Sequence, residues 1–317
     1  MHWRSASACL PLAAVLLASA CALAGDARAA GNEANESYAQ AKRWLEREVY
    51  ADHRVTVYCG YAFDARKQIA IGRGFFTPKH GDRALRMEWE HSVPAENFGR
   101  AFVEWREGAP QCTDSRGRAY RGRRCAQTNL EFRRMEADMY NLYPSVGAVN
   151  ALRSNFRYDE LPGEDWTFGS CPMKVDVRGR RAEPPDAAKG TLARSALYMA
   201  ESYPKALRLS RAQRRLMEAW DRMHPVDQWE CTRALRIEAL QGNPNRFVKT
   251  PCLEAGLWRN VRVPVSVPEA DPQWQARHAG SGADGRSEAR RESRPRPAAV
   301  LRFTRMLRSY LGRALSW

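Results

Sequence analysis

Six cysteines downstream of a leader-like segment constrain this chain more than any other feature. Residues 1–24 join one early arginine, Arg4, to an apolar run from Leu10 to Leu17 and then to small residues. That pattern reads as a secretory signal peptide cut after Ala22-Leu23-Ala24, and the run is too short to span a bilayer. A lipoprotein reading through Cys21 is weaker, because Ala18 stands where a larger aliphatic residue is usual. Cleavage would leave Cys59, Cys112, Cys125, Cys171, Cys231 and Cys252. In an oxidising compartment, periplasmic or secreted, an even set is expected to form disulfides. Cys112 and Cys125 are the best local pair, closing the loop CTDSRGRAYRGRRC; sequence alone does not choose among the other pairings. With no Cys-x-x-Cys and no clustered Cys/His pair, a structural zinc site is disfavoured.

The charge is distributed, not confined to a tail. The formal net charge is +15, of which residues 271–317 carry +6, Arg4 carries +1 and the body, residues 25–270, keeps +8. A basic folded body points to a polyanion: nucleic acid, anionic lipid or acidic polysaccharide. An arginine-rich composition that serves only solubility is the plain alternative.

Periodicity divides the body into short elements. Residues 32–49 have helical spacing, with Tyr38, Ala41, Leu45 and Val49 on one side. RVTVYCGYAF (54–63) and RALRMEWEHSV (83–93) read as strands. Residues 104–125 are loop-like. NLEFRRMEADMYNLYPS reads as a helix capped by Asn129 and stopped by Pro144. Residues 190–203, residues 210–223 with Ser210 as cap, and the stretch to Gln241 after the break at Pro225 read as further helices, with a turn-rich exit at 241–248. Beyond the body (25–267), residues 268–298 have the polar composition of a disordered linker. Residues 299–317 form a basic amphipathic pattern, with Val300, Phe303, Leu307, Leu311 and Leu315 on one face. It suits an anionic membrane or a partner groove, and equally a terminal helix docked on the body.

Two stretches carry candidate chemistry. In MEWEHSVPAENFG (87–99), Glu90 and His91 are adjacent. Imidazole takes a proton from water near neutral pH, and a carboxylate holds a hard cation. Phosphodiester hydrolysis needs both functions. Neighbours on a regular strand point to opposite faces. Pro94 denies the ladder a donor, so residues 90–92 are expected to leave regular pairing and let both side chains face one site. MEADMYNLYPSVGAVNALRSNFRY (135–158) combines Asn141, Asn150 and Asn155 with Arg153 and Arg157. Amide oxygens complete magnesium shells and arginines contact phosphate, although Asn150 and Asn155 read better as local turn-formers.

These two stretches, with ARSALYMAESY and LMEAWDRMHPVDQWECTRALRIEALQGNPNRFV, closely resemble the endonuclease I family from about Glu48 to Leu257. The resemblance implies a disulfide-bonded α+β fold, mostly helical, with a small distorted sheet and a ββα-metal (His-Me finger) element. It implies a periplasmic or secreted non-specific endonuclease that hydrolyses DNA, with RNA tolerated, using Mg²⁺ and leaving 5′-phosphate ends. Carried over by position, Glu90 and Asn141 would be metal ligands and His91 the general base. Arg123 would steady the phosphate, with Arg121 and Arg124 as close rivals. The competing function is an exported DNA- or polyanion-binding protein without catalysis, which would not need Glu90, His91 and Asn141 together.

Overall fold

The computed structural model describes residues 31–258. The leader (1–24), the linker (268–298), the terminal amphipathic segment (299–317) and both ends of the expected body lie outside the described residues.

A two-stranded ribbon carries the middle of the chain. Strand β1 (Met87–His91) pairs antiparallel with β2 (Leu142–Val146), with Glu90 opposite Tyr143 and His91 opposite Leu142. Strand β2 falls where a helix running to Pro144 was expected. The helix ends instead at Glu136, and a 3₁₀ turn over Met139–Asn141 leads into the strand. Pro144 is tolerated there for a geometric reason. Ser92 N donates to the Asn141 carbonyl at 2.9 Å, which makes 92/141, and by alternation 90/143, the hydrogen-bonded pairs. Pro144, opposite Trp89, therefore faces away from the ladder and its missing donor costs nothing.

The insertion between the two strands holds four short helices: α2 (Ala95–Gly99), α3 (Val103–Arg106), α4 (Arg123–Ala126) and α5 (Leu130–Glu136). Asn129 caps α5 as expected, accepting from Glu131 N and Phe132 N. Helix α6 (Gly147–Arg153) follows β2 without a loop. Gly147 permits that junction, since a Cβ there would lie 2.7 Å from the Arg83 carbonyl and 2.9 Å from Glu88 Oε1. Ribbon plus α6 completes the expected ββα element. A second small sheet has the order β3 (Arg157–Tyr158), β5 (Arg181–Glu183), β4 (Lys174–Asp176).

Helices close the core around the ribbon. The N-terminal helix α1 (Tyr38–Trp44), capped by Ser37, runs on as a π turn to Val49. Helix α7 (Asp186–Ser202) is largely buried and packs on α8 (Arg211–Met223), which Ser210 caps. Helix α9 (Gln228–Gln241) and an unexpected α10 (Arg246–Glu254), capped by Asn245 inside the turn-rich exit, complete the set. From α9, Arg233 donates to the carbonyls of Met139 and Leu142 at 2.7 and 2.9 Å, securing the entry to β2. Among the described residues no helix is long and apolar enough to cross a membrane.

The expected strand over 54–63 is not formed. Its residues make only isolated bridges, Val55 to Ala62 and Phe63 to Ile69, because the chain turns back at Gly60 with φ of +65°. All six cysteines pair: Cys59–Cys171, Cys112–Cys125 and Cys231–Cys252.

Loop closure predicts an order of stabilisation. Cys112–Cys125 spans 13 residues and Cys59–Cys171 spans 112. Opening them should cost about 3 and about 4.7 kcal/mol respectively on loop entropy alone. Urea unfolding of the double variant Cys59→Ala/Cys171→Ala should show the larger loss. Equal losses in the two double variants would reject loop entropy as the controlling factor.

Candidate active site

The two faces of β1 meet different partners. Glu88 and Glu90 point to one face, where α6 lies across them. Asn150 Nδ2 donates to Glu88 Oε2 at 3.0 Å, and Arg153, one helical turn on, donates from Nη1 to Glu90 Oε1 at 2.8 Å. Glu88 is held from outside by Arg83 and Arg86. Tyr58 Oη adds a bond to Glu90 Oε1 at 2.9 Å and lies 2.6 Å from Tyr158 Oη. Burial pushes the Glu90 carboxyl up from its ordinary pKa, against the pull of Arg153 and Tyr58.

His91 points to the other face, stacked on Tyr38 of α1 with ring centres 5.3 Å apart. Its Nε2 lies 2.9 Å from the Glu136 carbonyl at the end of α5. A carbonyl only accepts, so Nε2 carries the proton and the neutral ring keeps Nδ1 as a base. Burial, reinforced by the charge of Arg123, lowers the His91 pKa to about 3, so the ring is neutral at pH 7.

The expectation that residues 90–92 leave regular pairing is corrected by the structure. Residues 90 and 91 do not leave regular pairing; the ladder runs through His91, and Ser92 N still bonds to the Asn141 carbonyl. Departure begins at Val93, whose N donates to Asn141 Oδ1 at 2.7 Å while Asn141 Nδ2 donates to the Val93 carbonyl at 2.9 Å. Both side chains reach one place for another reason. A cavity of about 260 Å³ opens along the edge of β1 turned away from β2, and it is lined by Trp89, Glu90, His91, Arg123, Asn150 and Asn155 among others. The width of one strand separates the two faces there.

That cavity sorts the expected residues. Glu90, His91 and Arg123 line it. Arg123 is 43% exposed and fixed by Glu136 Oε1 at 2.5 Å, whereas Arg121 and Arg124 do not line it; Arg124 lies over the Tyr120 ring. Asn141 does not line it either: it is fully buried, and both its amide atoms are occupied by the backbone of Val93. Asn150, read from the sequence as a turn-former, occupies the cavity wall instead. Its Nδ2 is committed to the Glu88 carboxylate, which fixes the amide so that Oδ1 is the acceptor left facing away from Glu88. The signal was present as the Asn150/Arg153 spacing, which places both on one helix face over Glu88 and Glu90. Arg153 is 1% exposed and binds protein acceptors, so it is no phosphate contact.

The donor set suits a hard divalent cation: a carboxylate and a neutral amide oxygen on one open cavity, with room for water. Among the described residues there is no group of three or more His, Cys, Asp or Glu placed to hold a metal.

The two strands and α6 make a ββα element with a neutral imidazole and a carboxylate at its open edge. The family model described as Endonuclease I matches residues 34–252. An extracellular deoxyribonuclease of Aeromonas hydrophila is 40% identical over 222 residues, covering 68% of this chain and 90% of that protein. A periplasmic deoxyribonuclease of the same organism is 40% identical over 210 residues, covering 65% and 82%. Endonuclease-1 of Buchnera aphidicola subsp. Acyrthosiphon pisum is 33% identical over 221 residues, covering 68% and 82%. The chain belongs to the endonuclease I family.

Two predictions follow from the geometry. The unfolded state protonates His91 near the ordinary value of 6.5 and the folded state only near 3. The resulting stability is complete above pH 6.5 and is lost as pH falls towards 3, by about 1.4 kcal/mol per pH unit. Denaturant unfolding of His91→Gln should show a shallower acid loss than the wild type; parallel curves would mean that the ring titrates normally. Separately, Arg153→Ala leaves Glu90 buried without its ion pair and should cost about 3–5 kcal/mol. Arg153→Lys should recover only part of that, because an ammonium cannot span the same acceptors; full recovery would show that charge alone matters.

Proposed function

We propose that this chain is an exported, metal-dependent endonuclease that hydrolyses DNA phosphodiester bonds, tolerates RNA, and uses His91 as its general base. The single observation that carries the reading is the His91 ring itself. It is neutral, its Nε2 proton is committed to the Glu136 carbonyl, and it lines the same cavity as Glu90, Arg123 and Asn150. The related deoxyribonucleases of Aeromonas hydrophila, named extracellular and periplasmic, support DNA as substrate and an exported location.

His91 Nδ1 takes a proton from the attacking water. Glu136 holds the ring in the tautomer that leaves Nδ1 free of a proton. Arg123, set by its bond to Glu136, meets a non-bridging phosphate oxygen and orients the phosphorus for in-line attack. Glu90 and Asn150 would hold Mg²⁺, with Asn150 taking the amide role that the resemblance gave to Asn141. What the cation supplies there is neutralisation of charge on the phosphate and on the departing 3′ oxygen. The products then carry 5′-phosphates. Contacts to phosphate rather than to base edges make the cleavage non-specific.

The test uses the mature, disulfide-bonded protein on supercoiled plasmid, with Mg²⁺ or EDTA. Cleavage should stop in EDTA and fall about 10²–10⁴-fold in His91→Ala. Asn150→Ala should raise the Mg²⁺ concentration needed for half-maximal cleavage, whereas Asn141→Ala should lower the melting temperature without changing the metal requirement of the folded protein. Tight DNA binding with no cleavage in any divalent metal would replace this reading with the binding-protein one.

A further inference from the structure

A second cavity, of about 520 Å³, lies beside the catalytic one and shares Pro94, Glu96 and Asn155 with it. Its lining is basic on an apolar floor. Arg100, Arg157, Arg180 and Arg208 are all exposed there, and Leu207 and Met217 are among the floor residues. Among the described residues, Glu96 is the only acidic one in the lining.

Side chains order the seam between the two cavities. Glu96 Oε1 binds Arg100, and Glu96 Oε2 accepts from Asn155 Nδ2 at 2.6 Å. Asn155 Oδ1 in turn accepts from Arg180 Nη2 at 2.6 Å. Both oxygens of that carboxylate are thus engaged within the seam. Arg180 is held at the seam by this relay and by the Phe156 ring, 5.3 Å from its guanidinium carbon. It projects from the turn between β4 and β5, where its φ is +54°, a conformation that a non-glycine residue adopts only when its surroundings impose it. Among the described residues, Arg208 bonds to a backbone carbonyl, that of Pro204, which leaves its charge unneutralised by that contact. A groove with cations along its rim and an apolar floor fits a sugar–phosphate chain, with phosphates at the rim and the less polar nucleoside parts below.

We propose that this groove binds the substrate strand beside the scissile phosphate, with Arg180, Arg157 and Arg208 meeting successive phosphates. The proposal rests on the nuclease reading for the word substrate, but not for the binding itself. It extends the contacts of the catalytic cavity by a defined path, out past Asn155 and along the β4–β5 turn.

The experiment measures affinity of the full, disulfide-bonded protein for a short labelled DNA duplex by fluorescence anisotropy, in EDTA and across a salt series. Arg180→Gln and Arg208→Gln are compared with the wild type and with Arg66→Gln, an exposed arginine that lines neither cavity. Each groove variant should flatten the slope of log affinity against log salt by about 0.9, the signature of one lost phosphate contact. In plasmid cleavage the same variants should act on KM, raising it by about threefold. Wild-type slopes in both groove variants, or an equal change in Arg66→Gln, would overturn the proposal. Arg208 stands on a different segment from Arg180, so a misfolded turn in Arg180→Gln leaves the Arg208→Gln result decisive. Flattened slopes in a protein that cleaves nothing in any divalent cation would support the groove and reject the nuclease reading alone.

Discussion

One buried guanidinium holds the working end of this protein together. Arg153 closes α6 and donates to Glu90 Oε1, to the His91 carbonyl and to the Ser92 carbonyl, at 2.8, 2.8 and 2.6 Å. These acceptors belong to three consecutive residues at the place where β1 runs out of partner strand. A strand that ends inside a protein leaves carbonyls that must be satisfied, since unpaired buried polar groups are costly. The planar fork of arginine meets several acceptors at fixed angles, which an ammonium does not. Its face lies over the Tyr158 ring, 4.4 Å from the ring centre. The Glu90 carboxylate, the backbone of His91 and the helix that bears Asn150 are thereby locked to one another. Asn141 performs the matching task one residue further on, where its amide stands in for a strand partner at Val93.

Glu136 ties the remaining two groups together. Its carbonyl accepts a hydrogen bond from His91 Nε2, and its carboxylate binds Arg123 and Gln127. One residue at the end of α5 thus sets the tautomer of His91 and the position of Arg123. The long insertion between β1 and β2 serves this purpose, because it returns α4 and α5 to the open edge of β1, whose other edge is paired with β2. The Cys112–Cys125 bridge ties the start of α4, and so Arg123, to the loop before it.

How much of this was legible in the sequence depended on whether the determining contact was local. Two caps were readable: Asn129 and Ser210 cap the helices they were expected to cap. Strand β1 was readable from its alternation, and the Cys112–Cys125 pair from its short loop. Strand β2 was not, because a proline and a helix-like apolar pattern disguised it, and only its register against Trp89 makes Pro144 acceptable. The stretch 54–63 has the composition of a strand but folds back on itself at Gly60, with Cys59 fastened to Cys171 from a distant part of the chain. Which amide stands on the cavity was not legible for a related reason. Asn141 and Asn150 are both compatible with a cation by type, and only tertiary structure shows that one is consumed by backbone and the other stands on the cavity.

The same distinction applies to charge. The body carries a large arginine excess, and taken as a sum it points to a polyanion. Yet Arg153, Arg194, Arg233 and Arg236 are buried and serve the fold, satisfying carbonyls and carboxylates at element ends. Arginine suits that work because it stays charged and offers five donors in a plane. A net charge is therefore not a map of a binding surface. On the proposed function, what bears on nucleic acid is the subset that remains exposed beside the His91 cavity, and the decisive property of that subset is placement: Arg123 on the cavity wall, and Arg180 at its seam, each held by a neighbouring side chain. Preorganised cations lose little freedom when they bind, so a few of them in the right place outweigh many on a mobile surface.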